Sequence, residues 1–193
     1  MGAVLTQNTS WKNVERAIAN LRSKDVLAPQ PLYRLSHAAL AELIRPAGYF
    51  RLKALRLMNL LEFLFTRYDG SLRRMFATDL STLRKELLSV NGIGPETADS
   101  ILLYAGQMPT FVVDAYTNRV LKRHGWIEPE ADYHQVQQLF HSRLETDVAL
   151  FNEYHALLVR VGNAHCRRRP RCEDCPLARM LPRNGPLDID EER

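Results

Sequence analysis

Residues 87–99 read Leu-Leu-Ser-Val-Asn-Gly-Ile-Gly-Pro-Glu-Thr-Ala-Asp. A helical period runs from Leu80 to Val90, stops at Asn91-Gly92-Ile93-Gly94, and resumes in a helix that has Pro95 in its first turn and ends before Gly106. Two glycines so spaced let the backbone turn with positive φ and bring its N–H groups to the surface beside a helix N-terminus. Such a hairpin can hold a phosphate without side chains, and Gly92, Ile93 and Gly94 are its candidate contacts. A plain tight turn between two helices uses the same Gly-x-Gly.

Outward from the hairpin nearly every segment keeps the helical period. Ser10 is placed to cap Trp11–Leu21, where Val14, Ala17, Ile18 and Leu21 share a face. Ser36 opens a helix that Arg45-Pro46 closes, with Gly48 as the turn residue. Residues 50–67 form a long helix whose leucines, with Met58, Phe63 and Phe65, wrap most of its surface, as in the central element of a bundle. Downstream, the loop Gly106–Thr110 leads through Phe111-Val112-Val113 to Asp114, and three helices follow over roughly 114–123, 132–143 and 147–162. No alternating strand of useful length occurs, so the expected fold class is all-α. The chain opens inside what reads as a core helix, which suggests an N-terminal element ahead of it. The expected organisation is a helical region over 1–163, a cysteine-bearing segment over 164–181 and an acidic tail over 182–193.

A chain of 193 residues suffices for one sizeable domain or two small helical lobes. With 46% hydrophobic and 25% charged residues it has an ordinary globular composition. The formal net charge of +4, from 26 basic and 22 acidic residues, permits a polyanionic partner without demanding one. No stretch is apolar enough to span a membrane and no signal peptide opens the chain, so the expected setting is intracellular, bacterial-type cytoplasm. Its three cysteines, Cys166, Cys172 and Cys175, cluster late in the chain. In a reducing compartment that clustering suggests metal ligation over disulfides.

The 87–99 segment closely resembles the helix-hairpin-helix motif of the endonuclease III superfamily of base-excision DNA glycosylases, and the resemblance extends over essentially the whole chain. It implies a helical bundle of two lobes with the active site between them. It also implies a partner, duplex DNA containing a damaged base, met by a monomer. In that superfamily a Gly/Pro-rich loop and a catalytic aspartate follow the hairpin, and Gly106, Pro109 and Asp114 stand at similar spacing. Read from its own surroundings, Asp114 emerges from an apolar run at the first turn of a helix, where a carboxylate can be partly desolvated yet held ionised. Breaking an N-glycosidic bond builds positive charge on the sugar, which such a carboxylate can stabilise. Taken alone, Asp114 is equally a helix cap; following this hairpin it is expected to be catalytic.

Bifunctional members of the superfamily carry a lysine just after the hairpin that attacks the sugar and nicks the strand. Glu96 occupies the matching position and cannot form a Schiff base, so lyase activity is expected to be weak or absent. Glu at this place is similar to the bacterial 3-methyladenine glycosylases related to endonuclease III, which points to alkylated purines. Gln7, in Leu5-Thr6-Gln7-Asn8-Thr9, resembles the superfamily's Gln-bearing loop that fills the gap left by a flipped base; its alternative is a polar helix-end turn. Tyr49 and Phe50 are candidates for stacking in the pocket or for the core. Lys122 and Arg123, at a helix end, are candidate phosphate contacts, and Tyr116 stands where many relatives carry a histidine.

The superfamily's iron–sulfur loop has the spacing C-x6-C-x2-C-x5-C. Here the pattern is Cys166-x5-Cys172-x2-Cys175, with Leu181 in place of the fourth cysteine. Three options stay open: a [4Fe–4S] cluster with an incomplete ligand set, a zinc site that adds His165, or no metal. The cluster is favoured because Arg167, Arg168, Arg169 and Arg171 preserve the basic loop that relatives use against phosphate.

Overall fold

A computed structural model describes residues 1–188; residues 189–193, the end of the expected acidic tail, lie outside the described residues. Every regular element among the described residues is helical, as the periodicity requires. Among them no helix is long and apolar enough to cross a membrane. The chain divides into two compact units, Met1–Ile101 and Leu102–Arg193.

The first unit holds α1 (Gly2–Leu5), α2 (Trp11–Ser23), α3 (Pro29–Tyr33), α4 (His37–Leu43), a 3-10 turn at Arg45–Ala47, α5 (Phe50–Tyr68), α6 (Leu72–Met75), α7 (Leu80–Leu88) and α8 (Pro95–Ser100). Helix α5 is the hub, packed against α1, α3, α4 and α6. Its burial is a stripe, Lys53, Ala54, Leu57, Leu61 and Leu64. Leu52 and Leu55 are 46% and 49% exposed, while Met58, Leu60, Phe63 and Phe65 are half-buried, so cover extends beyond the stripe and leaves part of one face open. The short helices α3 and α6 are too brief to show a period in the sequence; prolines in the first turn start α3, and the Ser71 hydroxyl, accepting from Arg74 N–H, starts α6. Ser36 and Asp79 cap α4 and α7 in the same way. Thr82 and Ser81 donate to the Asp79 carboxylate and hold its pKa down at about 2. Ser10 sits at the N-cap of α2 without a side-chain capping bond.

A fully buried lysine joins this unit's entry to its centre: Lys53 Nζ donates to Leu5 O at 2.8 Å and Ala47 O at 2.7 Å. Across the hairpin, Arg84 grips Asp99 with two parallel bonds, Nε to Oδ1 at 2.8 Å and Nη2 to Oδ2 at 3.0 Å, and so locks α7 to α8.

A π turn, Ile101–Ala105, follows α8 in the chain at the start of the second unit, which holds α9 (Ala115–Arg123), α10 (Tyr133–Arg143) and α11 (Val148–Ala164). A late 3-10 turn spans Ala178–Met180. The core gathers Phe111, Val112 and Val113 with Val120, Leu121, Val136, Phe140, Phe151 and Leu158. Helices α9 and α11 pack together, and Gly162 permits the close approach: a Cβ there would lie 2.6 Å from Tyr116 Cβ. Asp132 and Asp147 cap α10 and α11.

Candidate functional site

The hairpin turn lies where the sequence places it, with Gly94 extended at φ −90° but Gly92 at φ +91°. Only glycine adopts that conformation without strain, and a Cβ there would also meet Arg56 Cγ at 2.3 Å. Ile93 is a buried peg whose N–H turns inward to Val90 O at 3.0 Å, while Gly94 is exposed and faces open space. Gln7 reaches this hairpin from far away in sequence: its Nε2 donates to Thr97 Oγ1 at 2.9 Å and Gly92 O at 3.3 Å, and its Oε1 accepts from Arg56. The Gln7 amide thus clamps the hairpin. Glu96 is exposed in the first turn of α8.

Asp114 is delivered by an extended, buried segment, Thr110–Val113, whose backbone has side chains of α10 as partners. Gln137 Nε2 donates to Phe111 O at 2.7 Å, and His141 Nε2 accepts from Phe111 N–H at 2.9 Å. Tyr133 Oη faces Val113 N at 3.5 Å. These bonds replace the ladder of a sheet and bring the chain to a defined point at the head of α9.

There Asp114 is the N-cap: Oδ1 accepts from Thr117 N–H at 2.7 Å. Oδ2 lies 3.6 Å from His155 Nε2, with both side chains largely buried. The other ring nitrogen of His155 is hydrogen-bonded to the Tyr104 hydroxyl. Burial alone would raise the Asp114 carboxyl; the facing His155 and the Thr117 N–H outweigh it and hold the group below the ordinary carboxylate value. Tyr104 is pushed up to about 12, first by burial and then by the Asp114 charge. The second unit therefore presents a desolvated but ionised carboxylate at a helix N-terminus, the form that can stabilise a developing cation.

Sequence reading did not single out His155 or Tyr104. The available signal was a histidine on the apolar stripe Phe151, Leu158 and Gly162 of α11. Tyr104 sits in the π turn, whose register the helical period does not anticipate.

The remaining candidates fall elsewhere. Lys122 is partly buried at the end of α9. Arg123, expected to meet phosphate, is 5% exposed and directed inward, donating to the carbonyls of Arg167 and Arg168 and to Cys166 Sγ at 3.5 Å. It holds the cysteine-bearing loop. Tyr116 lies under the Arg119 guanidinium, 5.2 Å from its ring centroid. Tyr49 is 71% exposed, and the Phe50 ring is flanked by Arg45 and Arg51.

Cys166, Cys172 and Cys175 line one small cavity with His165, Arg123 and Leu181. Among the described residues no three His, Cys, Asp or Glu groups are arranged to hold a metal ion. Leu181 and the Arg123 guanidinium complete the wall of that cavity, so the thiols it holds are these three, and no fourth thiolate joins them among the described residues. Arg167, Arg168, Arg169 and Arg171 are exposed around it.

Residues 1–146 match the family model of HhH-GPD superfamily base excision DNA repair proteins. A Methanocaldococcus jannaschii protein with the provisional name DNA repair glycosylase is 49% identical over 179 residues, 92% of this chain and 81% of the relative. Among solved structures, H. pylori 3-methyladenine DNA glycosylase (MagIII) bound to 1,N6-ethenoadenine superposes with a TM-score of 0.74 at 28% identity, covering 84% of this chain and 82% of that one. A non-covalent endonuclease III–DNA complex gives a TM-score of 0.79 at 25% identity, covering 93% of this chain and 79% of the other.

Proposed function

Given that this chain belongs to the HhH-GPD superfamily of base excision DNA repair proteins and is a DNA glycosylase of that family, we propose that it is monofunctional and acts on alkylated purines. In this reading it flips the damaged nucleotide out of the duplex and hydrolyses the N-glycosidic bond without cutting the strand. The observation that carries the monofunctional assignment is Glu96, an exposed carboxylate at the hairpin position where the superfamily's lyase lysine stands. The buried Lys53 amine offers no substitute, because it is spent on two backbone carbonyls. The H. pylori relative's 3-methyladenine activity supports the substrate class.

Asp114 then carries the chemistry. As the bond from sugar to base breaks, its electron pair leaves with the base, positive charge develops on the sugar, and the ionised carboxylate stabilises that charge while water adds to the sugar carbon and releases one proton to solvent. Alkylated purines such as 3-methyladenine are already cationic and depart with little acid assistance, so one carboxylate suffices. The exposed hairpin at Gly94 and the arginines 167, 168, 169 and 171 supply backbone contacts to the duplex, with Arg123 holding their loop.

The test is incubation with a duplex holding one 3-methyladenine analogue, scored for breaks with and without alkali. Breaks that need alkali and vanish in Asp114→Asn are expected. Breaks without alkali, trapped as a covalent adduct by borohydride, would instead establish a bifunctional lyase. Full excision by Asp114→Asn would remove the carboxylate from the mechanism.

A further inference from the structure

The buried face of α11 runs Phe151, His155, Leu158 and Gly162, and a polar ring in such a stripe is expensive unless its nitrogens are used. Nδ1 of His155 is used by the Tyr104 hydroxyl. Nε2 is buried, has no hydrogen-bond partner, and faces Asp114 Oδ2 at 3.6 Å, beyond hydrogen-bond length. Two more unpartnered buried oxygens, Thr117 Oγ1 and Asn118 Oδ1, belong to the first turn of α9, which Asp114 caps.

The chemistry assigns the protons. A carboxylate oxygen only accepts, so the imidazole hydrogen belongs on Nε2; Nδ1 is then bare, and the Tyr104 O–H donates to it. Asp114 Oδ1 accepts from Thr117 N–H, which leaves Oδ2 as the oxygen that faces the ring.

We propose that His155 is the positioning residue of Asp114: Nε2–H orients Oδ2 toward the reacting sugar, and Tyr104, bonded at Nδ1, fixes the tautomer that makes this possible. The assignment rests on the proposed role of Asp114 in glycosidic hydrolysis. The contact closes to hydrogen-bond length when substrate fills the site, as catalytic contacts that are long in the free enzyme do. The titratable groups set against the ring are Tyr104 from the π turn and Asp114 at the head of α9.

The experiment pairs single-turnover excision on an alkylated-base duplex with a 13C NMR titration of the Asp114 carboxyl in full-length protein. His155→Leu removes the donor, and excision is expected to fall about 10- to 100-fold, the scale on which partners that orient a reacting group count, with DNA affinity unchanged. The Asp114 titration should move up in that variant, since burial is then opposed by the Thr117 hydrogen bond alone. His155→Gln, which can place an N–H near the Nε2 position, should recover most of the rate, and Tyr104→Phe should lose part of it. Wild-type excision and an unmoved Asp114 titration in His155→Leu would overturn the proposal. If that variant does not fold, Tyr104→Phe with unchanged rate and titration overturns it. Should Asp114→Asn also excise normally, the hydrolytic reading fails, while the titration still decides whether His155 and Asp114 are paired.

Discussion

In the proposed mechanism Asp114 meets a structural and a chemical demand with different oxygens. Oδ1 closes the head of α9 on Thr117 N–H, and Oδ2 faces His155. Asparagine caps helices as well as aspartate but carries no charge. Asp114→Asn should therefore lower excision by at least about 100-fold while it keeps the helix cap, the loss being one of charge stabilisation. Asp114→Ala should lose the cap too, about 1 kcal/mol, read as a lower melting temperature. The depressed carboxyl also sets a pH dependence. With a folded-state pKa below the ordinary 3.8, the charge contributes stability that is present above that value and lost as pH falls through the folded one. Asp114 accordingly stays ionised through mild acid, and the acid limb of the single-turnover rate should not come from it above about pH 5. An acid limb above that pH that disappears in Asp114→Asn would contradict the assignment. Arg123 makes a different point at this scale. A cation at a helix end reads as a surface contact, yet its burial among the Arg167 and Arg168 carbonyls makes it a fastener.

Among elements, the pairing of α9 with α11 matters most, because α9 carries Asp114 at its head and α11 carries His155 on its buried face. Gly162 lies on the same stripe as His155 and lets the helices meet at Tyr116. Gly162→Ala should destabilise the protein by about 1–3 kcal/mol through overpacking and lower the excision rate with it, since the helices can relieve the overlap only by separating. Thermal melts together with single-turnover rates check this; a normal rate in a stably folded variant would show that the spacing of these helices is slack. The hairpin elements depend on a different device. Its turn is local and visible in Asn91-Gly92-Ile93-Gly94, but the clamp by Gln7 and the buried Arg84–Asp99 pair come from residues that only packing brings together.

For the whole molecule, the formal charge of +4 is modest, so DNA affinity should depend on where the cations stand. Arg167, Arg168, Arg169 and Arg171 are exposed on the cysteine-bearing loop. Replacing all four with Gln should weaken binding to damaged and undamaged duplex alike. It should also flatten the dependence of log K on log salt by about 0.9 for each phosphate that the protein no longer neutralises. An unchanged slope would show that this loop does not meet the backbone. What the sequence determined by itself was whatever depends on neighbours in the chain. The all-helical class follows from the period, the cap at Ser36 from a hydrogen bond spanning three residues, and the hairpin turn from the positive φ of Gly92. The place of Asp114 at a helix head was legible because the loop, the apolar run and the helix follow one another in the chain. Tertiary structure alone decided which polar atoms meet across the fold. His155 and Tyr104 come to Asp114 through the packing of α11 and a π turn, Arg123 is turned inward, Gln7 is spent on the hairpin, and Leu181 and Arg123 border the three thiols. Each of these depends on burial and on distances between residues far apart in the chain, which no local pattern encodes.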